Sequence, residues 1–257
     1  MIQIMTFNIR YGDAQDGENV WTNRRELVAD VIRSYGPTVV GLQEALRYQM
    51  DFLTEGLPDY GVVGVGRDDG IRSGEHACIM YHRGRVSCLA DGNFWFSDTP
   101  DLPGSKSWGN TLPRICTWAR FSDLALNRCF YVFNVHWDHA SQTAREKSGV
   151  LLLDQIKGRC HHDEPVVVTG DFNVESDNPA FMRLTTDEIG LRDVLRTAYR
   201  QEGAGGTFHE FSGTEDGGRI DAILVSPHWR IHGAHIDHLN EDGRYPSDHF
   251  PVTAEIE

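Results

Sequence analysis

The chain opens on alternating apolar and polar positions from Ile2 to Phe7, which predict a strand ending near Asn8. About fifteen residues later, Leu27, Val28, Val31, Ile32 and Tyr35 recur at helical spacing. The pattern Asn23-Arg24-Arg25-Glu26 just before them reads as a capping box, and Gly36-Pro37 stops the helix. Thr38-Val39-Val40-Gly41-Leu42 then predicts a buried strand running into Gln43-Glu44.

The same plan returns later. Phe130–Val135 predicts a strand, Thr143-Ala144-Arg145-Glu146 a second capping box, and Val150 to Ile156 an apolar helix face. Pro165-Val166-Val167-Val168-Thr169 is again a buried strand, ending at Gly170-Asp171. The separations Asn8 to Glu44 and Asn134 to Asp171 are 36 and 37 residues. Two strand–helix–strand units of nearly equal length predict two similar layers packed face to face. Short β segments are expected at Ala77–Tyr81, Ile115–Phe121, Ile220–Val225 and Phe250–Glu255. Strands that are apolar throughout need cover on both faces, which places sheets inside and helices outside. Pro- and Gly-rich stretches at Asp98–Gly109 and Gly203–Gly218 read as loops, so residues 1–257 are taken as one domain.

Composition narrows the class. With 40% apolar residues the chain is an ordinary globular protein, and no apolar run approaches the ~20 residues of a membrane span. No signal-peptide pattern opens the sequence, and the five cysteines are scattered without a CxxC. Reduced, mostly buried thiols and a cytoplasmic location are the expectation. The formal net charge of −14 disfavours a long polyanion, because nucleic-acid affinity rests largely on cations that displace counterions. A small phosphorylated ligand, held by a few local groups or through a metal, stays compatible. Nothing in the sequence calls for an obligate protein partner.

Polar residues collect at the expected strand ends: Asn8, Gln43-Glu44, His136-Trp137-Asp138-His139, Asp171-Phe172-Asn173, Asp221 and Ser247-Asp248-His249. Singly, each has an ordinary reading as a turn former, a cap or a helix-leading acid. Jointly they point to chemistry, because a buried strand runs into an acid twice and two other strand ends bear histidine. A hard divalent cation takes carboxylate and amide oxygens, while substrate phosphate completes its shell. The histidines would then hydrogen-bond or charge-pair with the phosphate.

Phe7-Asn8-Ile9-Arg10, Gly41-Leu42-Gln43-Glu44, Asn134-Val135-His136, Gly170-Asp171-Phe172-Asn173, Arg219-Ile220-Asp221 and Ser247-Asp248-His249 form an ordered series. It resembles that of the endonuclease/exonuclease/phosphatase family, the deoxyribonuclease I-like phosphoesterases. The resemblance spans Asn8 to His249. It implies a four-layer α/β sandwich with two central mixed β-sheets flanked by helices. It implies Mg²⁺, with Mn²⁺ as a substitute, held by Glu44 with Asn8 and Asp248 nearby. Asp171 would orient or deprotonate the attacking water, Asn173 would contact a phosphate oxygen, His249 would pair with Asp221, and His136 would bind the transferred phosphoryl group. Glu75 matches the place of the acidic partner of the first histidine, with a surface strand acid as the other reading. The choice of Asp171 or His249 as general base stays open.

Further candidates lie in the middle loops. Arg67 and Arg114 could reach a phosphate, and Trp95, Trp108 and Trp137 could stack on a sugar or base, the alternatives being salt bridges and core packing. Phe208 and His209 could line the same cleft. His232, His235 and His238 read as a surface strand rather than a zinc site. His136-x-Asp138-His139 partly resembles the zinc motif of metallo-β-lactamase-like hydrolases, but Asn134 stands where that motif needs histidine. The expected activity is hydrolysis of a phosphoester on a small phosphorylated molecule. The rival readings are an exonuclease or endonuclease acting on single-stranded or terminal nucleic acid, and a catalytically silent binding module.

Overall fold

The computed structural model describes residues 1–199 and 205–257. Residues 203 and 204 of the expected 203–218 loop lie outside the described residues. The first half runs β1 (Ile2–Asn8), α1 (Trp21–Tyr35), β2 (Val39–Gln43), α2 (Arg47–Gly56), β3 (Tyr60–Val63), β4 (Ile79–His82), β5 (Val86–Trp95) and β6 (Ile115–Asp123). The second half runs β7 (Arg128–His136), α3 (Gln142–Lys157), β8 (Val166–Asp171), α4 (Pro179–Thr186), β9 (Arg192–Asp193), α5 (Val194–Ala198), β10 (Asp221–Val225), β11 (Ile231–Ile236) and β12 (Val252–Ile256).

These strands form two mixed six-stranded sheets, β11-β12-β1-β2-β4-β3 and β5-β6-β7-β8-β10-β9. Between them lies an apolar layer that includes Val39, Phe121, Phe130, Val132, Val167, Ile223 and Val252. The outer face of the first sheet packs Met5 and Phe7 against Val28 and Ile32 of α1 and Leu53 of α2. The outer face of the second packs Phe133 and Val135 against Leu152 and Ile156 of α3 and Phe181 of α4. The four-layer sandwich is therefore as expected, and its reason is the same on both sides: β1, β2, β7 and β8 are buried on both faces.

The two equal units pair alike. β1 runs parallel to β2 with Asn8 opposite Gln43, and β7 runs parallel to β8 with His136 opposite Asp171. All four C-terminal strand ends emerge at one rim. Asp221 joins them at the start of antiparallel β10, opposite Asp171.

Just beneath that rim a buried polar network ties the sheets together. The Gln43 amide donates to Asn134 Oδ1 (2.7 Å) and to Thr6 Oγ1 (3.0 Å). The Thr169 hydroxyl donates to the same Asn134 oxygen (2.9 Å). The Asn134 amide donates to the carbonyls of Leu42 (2.8 Å) and Cys78 (2.9 Å). The close approach requires Gly41: a Cβ there would lie 2.2 Å from Thr169 Oγ1 and 2.4 Å from Asn134 Oδ1.

Several local expectations need correction. α1 begins at Trp21, two residues before Asn23, and no side chain caps it. Asn23 instead donates to the Glu18 carbonyl at 2.9 Å. α3 is capped by Ser141, whose Oγ accepts from the Ala144 N–H at 3.2 Å, so Thr143 already lies inside the helix. Asp138 fixes that entry by accepting from the N–H groups of Ala140 and Ser141. The sequence pattern did not reveal α2, β3, β5, α4, β9 or α5. β5 carries a bulge near Cys88 and Ala90, and Gly92 in it makes room for the Trp118 ring. The histidine triplet does lie on a surface edge: His232 and His235 are exposed on β11, and His238 follows it. The five cysteines are unpaired, but only Cys78 and Cys116 are buried, and Cys160 is exposed. No helix among the described residues is long and apolar enough to cross a membrane.

Candidate active site

The rim opens into a cleft with a volume of ≈ 440 Å³. It is lined by Arg10, Glu44, Glu75, Arg114, His136, His139, Asp171, Asn173, Phe208, Asp248 and His249, among others. Size and polarity suit one small, highly polar ligand.

From the first half come an amide and an acid. Asn8 ends β1 and its amide donates to Glu44 Oε1 (3.1 Å) and Asp171 Oδ2 (2.9 Å). Its own oxygen accepts from the Arg10 N–H at 3.0 Å, so as placed Asn8 orients two carboxylates. Glu44 follows β2 in the left-handed conformation, φ 60°, and its second oxygen accepts from the Tyr11 N–H at 2.7 Å. Such backbone strain in a residue with a Cβ is held by its surroundings and marks functional sites. Arg10 bridges Asp16 at 2.8 Å and Asp248 at 3.4 Å.

The second half supplies two histidines and their carboxylates. His136 Nε2 lies 3.6 Å from Asp171 Oδ2, and its Nδ1 lies 3.6 Å from Glu75 Oε2. His249 Nδ1 lies 2.8 Å from Asp221 Oδ2, and its Nε2 is 4.0 Å from Asp171 Oδ2. Asp171 Oδ1 accepts from the Asn173 N–H at 2.9 Å. Asn173, at φ 53°, donates its amide to the Trp137 carbonyl at 3.0 Å. Ser247 donates to the Asn8 carbonyl at 2.6 Å, which ties the last motif to the first.

Burial sets the charges. It pushes the Asp171 carboxyl up from its ordinary range, and the neighbouring Asp221 adds to the rise. It raises Asp248 as well, with Glu44 adding to the effect. Burial alone would lower His249, but the carboxylates of Asp221, Asp248 and Asp171 together outweigh it and lift the imidazole to about 10. His136 goes the other way: burial first, then the cations of Arg114 and Arg67, hold it well below its ordinary value. At neutral pH the two histidines thus differ, His249 as imidazolium and His136 as neutral imidazole.

The sequence-predicted residues Asn8, Glu44, Glu75, His136, Asp171, Asn173, Asp221, Asp248 and His249 are all brought together at this rim. Arg114 lines the cleft beside them. Three others are not at the cleft wall. Arg67 sits behind Glu75, with Nη1 2.6 Å from Oε2, and its carbonyl accepts from the Trp95 indole. Trp108 points away toward Asp98 and Lys147, because its indole N–H donates to the Asp98 carboxylate at 2.8 Å. His209 is stacked on Phe250 with ring centroids 3.8 Å apart, and it is Phe208 that reaches the cleft. Trp95 and Trp137 are core residues. His139, read in the sequence only as part of a zinc-like motif, also lines the cleft; no local signal distinguished it.

The donor set suits a divalent cation. One atom each from Glu44, His136 and Asp171 lies within 4.8 Å of the others, and Asp248 faces the same cleft. Three carboxylates gathered in a mostly buried pocket, two of them raised by burial, leave negative charge that a hard cation would compensate. The residues fit such an ion.

Comparison with known proteins agrees with the geometry. Residues 5–249 match the Endonuclease/Exonuclease/phosphatase family. A crystal structure of an endonuclease/exonuclease/phosphatase from Bacteroides vulgatus is 37% identical, with a TM-score of 0.93 over 100% of this chain and 98% of that one. A mannosyl-6-phosphatase from Bacteroides thetaiotaomicron is 32% identical, with a TM-score of 0.91 and 100% of both chains covered. A Schizosaccharomyces pombe protein named as a probable RNA exonuclease is 25% identical over 211 residues, 74% of this chain and 40% of that protein. A match over nearly the whole chain, with the acids and histidines converging at one rim, leads to one conclusion: the chain belongs to the endonuclease/exonuclease/phosphatase family of metal-dependent phosphoesterases.

Proposed function

We propose that this enzyme hydrolyses a phosphoester of a small phosphorylated molecule, a sugar phosphate or close analogue. One observation carries the reading. Apart from histidines, the cations that line the cleft among the described residues are Arg10 and Arg114, and Arg10 is already engaged by Asp16 and Asp248. A polyanion gripped along several phosphates needs a row of free cations. The similarity to a mannosyl-6-phosphatase supports the same choice.

In this reading Asp171 receives the proton of the attacking water. It is the carboxylate between the two histidines, and His249, already protonated beside Asp221, is not free to accept one. The His249 imidazolium donates to the phosphoryl oxygens. His136, with Nδ1 3.6 Å from Glu75, donates to a phosphoryl oxygen in the tautomer that carries its hydrogen on Nε2. Asn173 uses one amide hydrogen on Trp137 and keeps the other for a phosphate oxygen. Glu44, with Asp248 facing the same cleft, would hold Mg²⁺ or Mn²⁺, which supplies charge compensation to the phosphate when bound. Asn8 keeps Glu44 and Asp171 aimed at one point.

A second reading, cleavage at single-stranded or terminal nucleic acid, is favoured by the similarity to the protein named as a probable RNA exonuclease, since one chain end needs few cations. The test is kcat/KM on a panel of sugar phosphates, phosphodiesters, and single- and double-stranded oligonucleotides, with Mg²⁺ or Mn²⁺ at about 0.15 M salt. Highest efficiency on a sugar phosphate is expected. Efficient duplex cleavage with weak action on small esters would overturn the proposal. Metal binding without any hydrolysis would make the protein a binding module.

A further inference from the structure

Arg114 stands just before β6, is 3% exposed, and forms part of the cleft wall. One guanidinium nitrogen is hydrogen-bonded to a side chain, and a second faces a carboxylate across an ion pair. Nη2 lies 2.8 Å from His139 Nδ1, and Nε lies 3.5 Å from Asp138 Oδ2. Asp138 is itself fixed by the N–H groups of Ala140 and Ser141. The guanidinium is therefore held through Nη2, while Nε and Nη1 are buried with no hydrogen-bond partner among the described residues. A buried, oriented cationic donor without an acceptor is out of balance unless a ligand completes it.

What lies behind Arg114 decides which ligand. Arg114, Glu75 and His136 are shared between the cleft and a recess walled by Arg67, His76 and Ile115. That recess has a volume of only ≈ 10 Å³, room for about one water. The cleft therefore ends at this wall, while Leu112 and His139 at the rim are exposed. Among the described residues, a phosphoryl group seated against Arg114 meets only this small recess on that side. A phosphodiester carries organic groups on two oxygens, whereas a monoester offers three terminal oxygens and more charge, which suits an aimed guanidinium.

Resting on the phosphoesterase reading of the same cleft, we infer that Arg114, held by Asp138 and His139, is the specificity-determining residue that binds the terminal phosphoryl group and selects monoesters over diesters.

The test compares wild type with Arg114→Met, Arg114→Lys and His139→Ala. Hydrolysis of 4-nitrophenyl phosphate and bis(4-nitrophenyl) phosphate is measured with Mn²⁺, and affinity for inorganic phosphate by calorimetry. Arg114→Met should lower kcat/KM on the monoester by about 100-fold and on the diester by less than about tenfold. Phosphate affinity should fall at least about tenfold, with Arg114→Lys intermediate and His139→Ala milder. Equal losses on both esters, or unchanged phosphate affinity in Arg114→Met, would overturn the assignment. Should Arg114→Met not fold, the same ratio in Arg114→Lys and His139→Ala decides. Phosphate binding separates this inference from the function it rests on. If wild type hydrolysed no small ester while Arg114→Met still lost phosphate affinity, the proposed activity would fall and the role of Arg114 in phosphate binding would stand.

Discussion

In the β1–α1–β2 unit the residues facing each other across the last register pair are Asn8 and Gln43. In the β7–α3–β8 unit they are His136 and Asp171. The second unit delivers both of its reactive groups directly from strand positions. The first cannot, because Gln43 points inward and is spent on Asn134 and Thr6. Its acid arrives one residue later, at Glu44, and the backbone must turn left-handed to aim it. The two halves share a plan but divide the labour. One contributes a strained acid, an amide and half of the sheet-to-sheet network. The other contributes the titrating pair. Chemistry and stability thus compete for the same strand ends, and the left-handed turn is how the first half serves both.

The sharpest way to break this comparison is to move the acid. Glu44→Gln and Asp171→Asn should each lower kcat by about 10²-fold or more in single-turnover assays with Mg²⁺, and excess chelator should abolish wild-type turnover. Adding Gln43→Glu to Glu44→Gln should restore nothing, because the side chain at 43 faces the sheet interface; recovery of activity would show that Glu44's turn is dispensable. Next in size are the histidines. His136→Ala and His249→Ala should each cost about 10²-fold in kcat. Asp221→Asn should reproduce a weaker His249 defect, and the double variant should fall far short of the combined losses; additivity would show that the pair does not act as a unit. Smaller again is the network beneath. Gly41→Ala, whose Cβ would meet Thr169 and Asn134, should destabilise by roughly 1–3 kcal/mol in urea unfolding. An unchanged midpoint would mean the sheets are not held at that distance. The least effect separates the helices: Ser141→Ala should cost about 1 kcal/mol, Asn23→Ala less than about 0.5.

The sandwich and its rim were legible in the sequence because both rest on local signals. Buried strands read as unbroken apolar runs, and an acid ending such a run is conspicuous. What was hidden depended on distant contacts. Gln43 and Asn134 stand inside the motif series yet serve the sheet interface, through bonds spanning 91 residues. Trp108 and His209 have side chains suited to ligand binding, but an Asp98 carboxylate and the Phe250 ring claim them first. Both capping boxes failed for a physical reason: the true starts are set by Asp138 and Ser141 in one case, and by no side chain at all in the other. β5 escaped notice because its bulge and Gly92 break the alternation.

Because every reacting group emerges at one rim, the opposite rim is free for attachment. There the β6–β7 hairpin turns through Asp123–Arg128, with Leu124 and Leu126 each 55% exposed. A tether or immobilising tag grafted onto that turn would hold the enzyme with its cleft facing outward. Catalysis would be undisturbed, and many copies could be displayed on a bead or electrode in one orientation.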